Sequence, residues 1–175
     1  MNMATHLAQL QQCTRCPSLG RDHVPSSGKT SSEVMIIAPS PTSDEANKQK
    51  IFTGVIGELL DYTLDEANLD RSEVYLTHIV KCKTVGIRRP YPEEEDTCIL
   101  NWLYKEIKIV NPSIVVLLGK HVHKALIGDR FEFKHLGVVK SKKRTYIMSY
   151  HPTYFLTSDD LDGLLELGRI IRENS

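Results

Sequence analysis

The sequence predicts an α/β protein of three layers, α/β/α, around a central four-stranded parallel sheet. Three observations lead there. Four short apolar runs rich in branched side chains recur along the chain, segments with helical spacing of apolar residues separate them, and the runs lack polar alternation. Strands buried on both faces read in this way, and alternation of strands with helices builds a parallel sheet covered on both sides. At 175 residues, with 41% hydrophobic and 25% charged side chains, the chain has ordinary single-domain size and globular composition. One domain over residues 1 to 175 is expected, without internal repeats.

Residues 4 to 12 form the first helix candidate, and a Cys, Pro, Gly and Ser-rich loop from Cys13 to Ser32 follows without periodicity. Val34 to Ala38 is the first strand, and the turn cluster from Pro39 to Ser43 ends it. Ile56, Leu59, Leu60, Leu64 and Ala67 recur at helical spacing before a second strand at Val74 to Val80, which completes one crossover unit. Pro92 opens the next helix, with Glu93 to Asp96 near its positive end, and Asn111-Pro112 stops it. Ser113 to Leu118 is the third strand, Gly119 begins a short helix through Leu126, and Thr145 to Tyr150 is the fourth strand, leading to His151-Pro152. Ser158 is expected to cap a last helix. In such sheets, ligands collect beyond the carboxyl ends of the strands.

Twenty-two Lys plus Arg balance 22 Asp plus Glu, which excludes a globally basic nucleic-acid binder but not a local basic face. Lys81, Lys83, Arg88 and Arg89 form one cluster and Lys140, Lys142, Lys143 and Arg144 another, each either phosphate-facing or simply solvated. His121 and His123, two apart at a helix start, read as surface or phosphate-facing groups. The first ten residues lack a basic segment followed by an apolar run, and the longest apolar strands fall far short of the roughly 20 residues that span a bilayer. A cytoplasmic protein without membrane contact is expected. The four cysteines stand as Cys13-x-x-Cys16, then Cys82, then Cys98. Such a set completes a tetrahedral sulfur site for zinc or an iron-sulfur cluster, while Cys82 and Cys98 as small buried hydrophobes are the alternative.

Several motifs recur in one order. They are Cys13-Thr-Arg-Cys16-Pro-Ser-Leu19, Val24-Pro-Ser-Ser-Gly28, Ile36-Ile-Ala-Pro-Ser40, Ile51-Phe-Thr-Gly54-Val-Ile-Gly57, Tyr75-Leu-Thr-His-Ile-Val-Lys-Cys82, Arg88-Arg-Pro-Tyr-Pro92, Leu118-Gly119 and Tyr150-His-Pro-Thr-Tyr-Phe-Leu156. From Cys13 to Leu156 they resemble the family 4 uracil-DNA glycosylases, the iron-sulfur branch of the uracil-DNA glycosylase superfamily. The resemblance implies a structural four-iron four-sulfur cluster on Cys13, Cys16, Cys82 and Cys98, with zinc the alternative, stapling the loops at 13 to 32 and 82 to 98 to the domain. It implies DNA as partner; a replication or repair protein is considered as a further one, and with the oligomeric state open a monomer is favoured. It places an extruded base against Phe52, His78, Ala38, Pro39 and Ser40, with His151 stabilising the departing base. Arg88, Arg89, Lys142 and Lys143 fall to the DNA backbone, and Tyr154, Phe155 and Leu156 to a wedge in the duplex.

Two departures stand out. Ile37 occupies the position of the family's first-strand glutamate, and His78 that of its base-reading asparagine. Asp44, or Glu45 beside it, is then expected to orient the attacking water, and the Ala-Pro-Ser and Phe-Thr-Gly wording leans toward family 5, which works without that glutamate. The expected activity is hydrolysis of the N-glycosidic bond of uracil or a modified pyrimidine in DNA. The alternative is a non-catalytic DNA-binding or replication-accessory protein, in which side chains fill the space beside Phe52 and His78.

Overall fold

A computed structural model describes residues 2–158 and 160–175 of the chain. The elements follow in order: α1 (Met3–Gln11), β1 (Leu19–His23), β2 (Val34–Ala38), α2 (Ser43–Lys48), α3 (Gly54–Glu66), β3 (Val74–His78), β4 (Cys82–Thr84), α4 (Pro92–Cys98), α5 (Tyr104–Val110), β5 (Ile114–Leu118), α6 (Lys120–Leu126), β6 (Gly137–Lys140), β7 (Thr145–Ser149), α7 (Pro152–Ser158) and α8 (Leu161–Asn174). Single 3-10 turns at Arg71–Glu73 and Gly128–Arg130 complete the set, and a π-type turn over Ile99–Leu103 joins α4 to α5.

The central sheet has five strands in the order β3-β2-β5-β7-β6. The four expected strands are all parallel to one another, each paired in register over four or five residues. The expected four-stranded sheet is therefore extended by β6, an antiparallel edge strand beside β7. Its residues alternate between half-buried and exposed, and only two of them are large and apolar, so it lacks the double-sided burial that marks the central strands. A second, two-stranded antiparallel ribbon pairs β1 with β4 inside segments expected to be loops.

The sheet separates two apolar layers. Ile36, Ala38, Leu76 and Val116 meet α3 and α8 through Leu60, Leu64, Leu167 and Ile171. Met35, Ile37, Tyr75, Val115 and Leu117 meet the opposite layer, where Leu10, Trp102, Leu103 and Val122 stand. Successive strand residues point to opposite faces, so these continuous apolar runs are what a three-layer packing requires. The last helix begins one turn beyond Ser158, with the Asp160 carboxylate accepting from the Gly163 amide, so Asp160 and not Ser158 caps it. After β2, the chain visits β3 on one side and later β5 on the other, so the topology switches beside β2, and a crevice opens there beyond the carboxyl ends.

Candidate functional site

That crevice is a cavity of about 510 Å3. Ala38, Pro39 and Ser40 line it from the end of β2, His78 from the end of β3, Gly119 and Lys120 from the end of β5, and Tyr150 and His151 from the end of β7. Phe52, Arg89, Pro90, Thr153 and Tyr154 close its sides. The volume lies within the range of roughly 300–1,000 Å3 typical of ligand pockets. A larger groove of about 670 Å3 runs between α1, β1 and α2, past Arg21, His23 and Asn47. It lies away from the strand ends and gathers none of the base-binding or catalytic candidates.

Glu45 organises the cavity floor. Its Oε1 accepts from the Phe52 amide at 2.7 Å and stands 3.3 Å from His78 Nε2, while its Oε2 accepts from the Thr42 amide at 2.7 Å. Burial works to raise its pKa, but the His78 hydrogen bond and charge, with the two backbone amides, outweigh it and hold the carboxyl at about 2. Glu45 is thus a fixed anion with both oxygens committed. Asp44, expected as a catalytic carboxylate, does not line the cavity: it is exposed and bonds Thr53 Oγ1 and Lys48 Nζ. The signal for Glu45 was the Thr42-x-x-Glu45 spacing, a capping box that turns the glutamate back over the start of α2.

Phe52 has a left-handed backbone, φ 52, unfavourable for an aromatic residue, and the Glu45 bond to its amide holds it there. Its ring lies nearly parallel to that of His78, centroids 6.2 Å apart, and is almost wholly buried before any base arrives. It is both a wall of the cavity and part of the core, so truncating it to alanine would cost about 3–5 kcal/mol of stability. Gly57 explains the spacing of the Phe-Thr-Gly-Val-Ile-Gly motif. A Cβ at Gly57 would lie 2.2 Å from the Phe52 carbonyl oxygen. Gly57→Ala is expected to lower stability in thermal unfolding by about 1–3 kcal/mol through overpacking, and to displace Phe52.

His151 Nδ1 lies 2.9 Å from Thr153 Oγ1 and accepts from the Thr153 amide at 3.3 Å. An amide can only donate, so the neutral ring carries its proton on Nε2. Burial pushes the His151 pKa down to about 4, with the Glu45 charge opposing and His78 reinforcing. A neutral imidazole with a free Nε2–H is a donor poised for an oxygen on which negative charge develops.

Several expected DNA contacts lie elsewhere. Lys142 and Lys143 sit in the turn between β6 and β7, at the amino end of β7, with the adjoining Arg144 bonded to Asn111. The cavity opens at the carboxyl end of the same strand, roughly 16 Å away at 3.3 Å per residue. Lys81 is fully buried, its Nζ bonded to Thr77 Oγ1, to the His78 carbonyl at 2.8 Å and to Glu106 at 2.7 Å. Burial alone would raise the Glu106 pKa, but Lys81, His6 and Thr77 hold it at about 2. Arg88 forms a two-pronged pair with Glu94, both contacts 2.8 Å, and has little left for phosphate. Phe155 is buried in the core, leaving Tyr154 and Leu156 as the exposed members of the expected wedge. His121 pairs with Glu95 at the cavity edge, and His123 is buried against Phe133, not on the surface. Lys120, at the first turn of α6, lines the cavity with its Nζ 5.6 Å above the Tyr150 ring, a cation that composition alone did not single out.

The four cysteines line one small cavity of about 110 Å3, walled also by Leu10, Leu19 and Trp102. Burial raises Cys82 to about 12 and Cys98 to about 11; the other three thiols reinforce the first shift, while Lys81 opposes the second. The Lys81 amide donates to Cys98 Sγ at 3.4 Å. Among the described residues, no three Cys, His, Asp or Glu side chains converge as a single-ion site. Four sulfurs around a walled space, one already accepting a backbone amide, suit a multi-atom cluster that thiolates hold from all sides. Among the described residues, no helix is long and apolar enough to cross a membrane.

The family model of the uracil DNA glycosylase superfamily matches residues 25–172. A type-4 uracil-DNA glycosylase of Pyrobaculum aerophilum is 31% identical, over 88% of this chain and 84% of its own. One of Archaeoglobus fulgidus is 27% identical, over 85% of this chain and 80% of its own. A DNA polymerase of Bacillus phage SP01 is 33% identical over 68% of this chain, a stretch that is 12% of that protein.

Proposed function

The chain belongs to the uracil-DNA glycosylase superfamily, and from that premise we propose that it hydrolyses the N-glycosidic bond of uracil or a closely related pyrimidine in DNA. The observation that carries the reading is the open cavity beside Phe52 and His78, walled by a neutral His151 with a free Nε2–H. A protein that only binds DNA has no need of an empty pocket there. The extruded base enters between Ala38, Pro39 and Ser40 on one side and His151 on the other, with its ring against Phe52. The bond from sugar carbon to base nitrogen breaks with its electron pair leaving on the base. His151 Nε2–H donates to the base oxygen that gathers this charge, water adds to the sugar carbon, and the water's proton passes to solvent. Glu45 is the one carboxylate lining the cavity among the described residues, and its oxygens are committed. The reaction therefore leans on stabilising the departing base rather than on a general base for water, in keeping with Ile37 in place of the family's glutamate.

His78 is proposed to read the base edge. In its neutral form, with Nε2–H directed at Glu45, the His78 ring presents Nδ1 as an acceptor, which suits the ring N–H of uracil and leaves the neighbouring carbonyl without a donor. His78→Asn, which restores both a donor and an acceptor, is expected to strengthen uracil excision relative to the wild type, by about tenfold for one regained bond to the base. An unchanged profile across uracil, hydroxymethyluracil and hypoxanthine would show that His78 does not read the base. Lys120 and Arg89 at the cavity mouth are assigned to the flanking phosphates.

Cys13, Cys16, Cys82 and Cys98 are assigned to a four-iron four-sulfur cluster. When bound, it supplies cross-links between the amino-terminal loop and the segment after β3, not chemistry on the base. The experiment for the activity is incubation of the purified protein with oligonucleotides carrying each of the three bases, then alkaline cleavage of abasic sites. Strand breaks are expected at a pyrimidine target, with the purine hypoxanthine as the comparison. A second reading, a replication accessory that binds DNA without cutting the base, finds its support in the stretch shared with the phage polymerase. It predicts retention of DNA with no abasic product.

A further inference from the structure

The loop between β4 and α4 carries Val85, Gly86 and Ile87 at its tip. Ile87 is fully exposed and Val85 nearly two-thirds exposed. Single exposed apolar side chains are ordinary on a protein surface. These two differ in how they are held and in where they stand. The Thr84 hydroxyl donates to the Arg88 carbonyl at 2.8 Å, closing the loop across its base. Arg88 is fixed in turn by its two bonds to Glu94, by a bond to the Ser18 carbonyl at 3.0 Å, and by its guanidinium lying 4.1 Å over the Tyr91 ring. Gly86 has φ 73 and open space around it, which turns the chain sharply outward at the tip. The next residues, Arg89 and Pro90, form a wall of the base cavity. A braced stem thus projects an aliphatic side chain into water within two residues of the pocket that receives the base.

We propose that Ile87, supported by Val85, is an apolar wedge that enters the duplex beside the target nucleotide, with double-stranded DNA as the partner of this loop. The inference rests on the glycosylase reading above and adds a site to it. An extruded base leaves a gap that an aliphatic group fills, and unstacking a step costs a few kcal/mol that such a wedge offsets. The arginines suit the occupant, since Arg89 at the cavity mouth has no ion-pair partner among the described residues while Arg88 anchors the loop. Tyr154 lines the cavity from α7, and the exposed Leu156 follows it on the same helix, so the wedge on the β4–α4 loop is separable from theirs.

The test compares Ile87→Gly and Ile87→Leu with the wild type on one uracil-containing sequence, presented single-stranded and paired opposite guanine. Wild-type excision from the single strand is the internal reference: its absence would sink the glycosylase reading itself, a result distinct from failure of the wedge. Ile87→Gly is expected to lose about tenfold or more in duplex excision, with single-strand excision and melting temperature near wild type, and Ile87→Leu to restore most of the duplex rate. Fluorescence of 2-aminopurine next to the target, which reports unstacking, should rise on binding wild type and rise less with Ile87→Gly. Equal losses on both substrates, or no loss on either, overturn the proposal. A duplex rate left intact while a protein partner is lost would reassign the tip to a protein interface and overturn it equally.

Discussion

His151→Ala is expected to lower the rate of base excision by about 10²–10³, or roughly 2.7–4 kcal/mol of transition-state stabilisation, as for loss of one preorganised donor to a developing oxyanion. Folding should be little affected, because the ring stands at the cavity wall and its only hydrogen-bonding partner among the described residues is Thr153. Binding of DNA carrying the base should persist, so the loss falls on the chemical step and not on affinity. The pH profile gives a second readout. An ordinary histidine would bring in a change of rate near pH 6.5. Burial holds His151 down to about 4, so the ring stays neutral through the neutral and mildly acidic range. The rate should therefore show no His151 limb near 6.5 and fall only as pH approaches 4. Below that value the ring gains a proton at Nδ1, which opposes the Thr153 amide and removes the orientation that aims Nε2–H. A rate that instead falls as pH rises through about 6.5, with that dependence abolished by His151→Ala, would show the charged ring to be the active form.

Cys82→Ser is expected to abolish accumulation of soluble protein. Cys82 lies in the β1–β4 ribbon, and the cavity it lines joins α1, that ribbon and the end of α4. Metal-binding free energy is folding free energy, and domains are stable by only about 5–15 kcal/mol, so losing one of four ligands removes a large share of the margin. Wild-type protein should be brown, with equimolar iron and acid-labile sulfide. The variant should lose both, together with its visible absorbance. Colourless wild-type protein holding one zinc per chain would overturn the cluster assignment.

The parallel strands were legible because each is a run such as Val34 to Ala38, apolar on both faces, a pattern that only a covered central strand needs. The small ribbon was not, since Leu19 to His23 and Cys82 to Thr84 are largely polar and acquire strand form from each other. The cysteines, Phe52, His78 and His151 could be named from their motifs, and the fold brings each set to a cavity. Lys142 and Lys143 could not be placed, because a charge cluster carries no information about which end of a strand it adjoins. Asp44 and Glu45 are adjacent in sequence, and of the two only Glu45 has the capping-box spacing from Thr42 that turns it back toward His78. Lys81 shows the opposite failure. It looks like a surface cation in sequence, and only the buried Glu106 on α5 reveals why it is inside.

The order in which the two cavities are completed follows from where their residues fall along the chain. The four thiols are all present once residue 98 has been synthesised, whereas the base cavity waits for Gly119, Tyr150 and His151. At elongation rates of about 5–20 residues per second, several seconds of ribosomal synthesis separate the two. A nascent chain halted in that interval owns all four thiols but not His151, so assembly of the proposed cluster has a head start over completion of the base cavity.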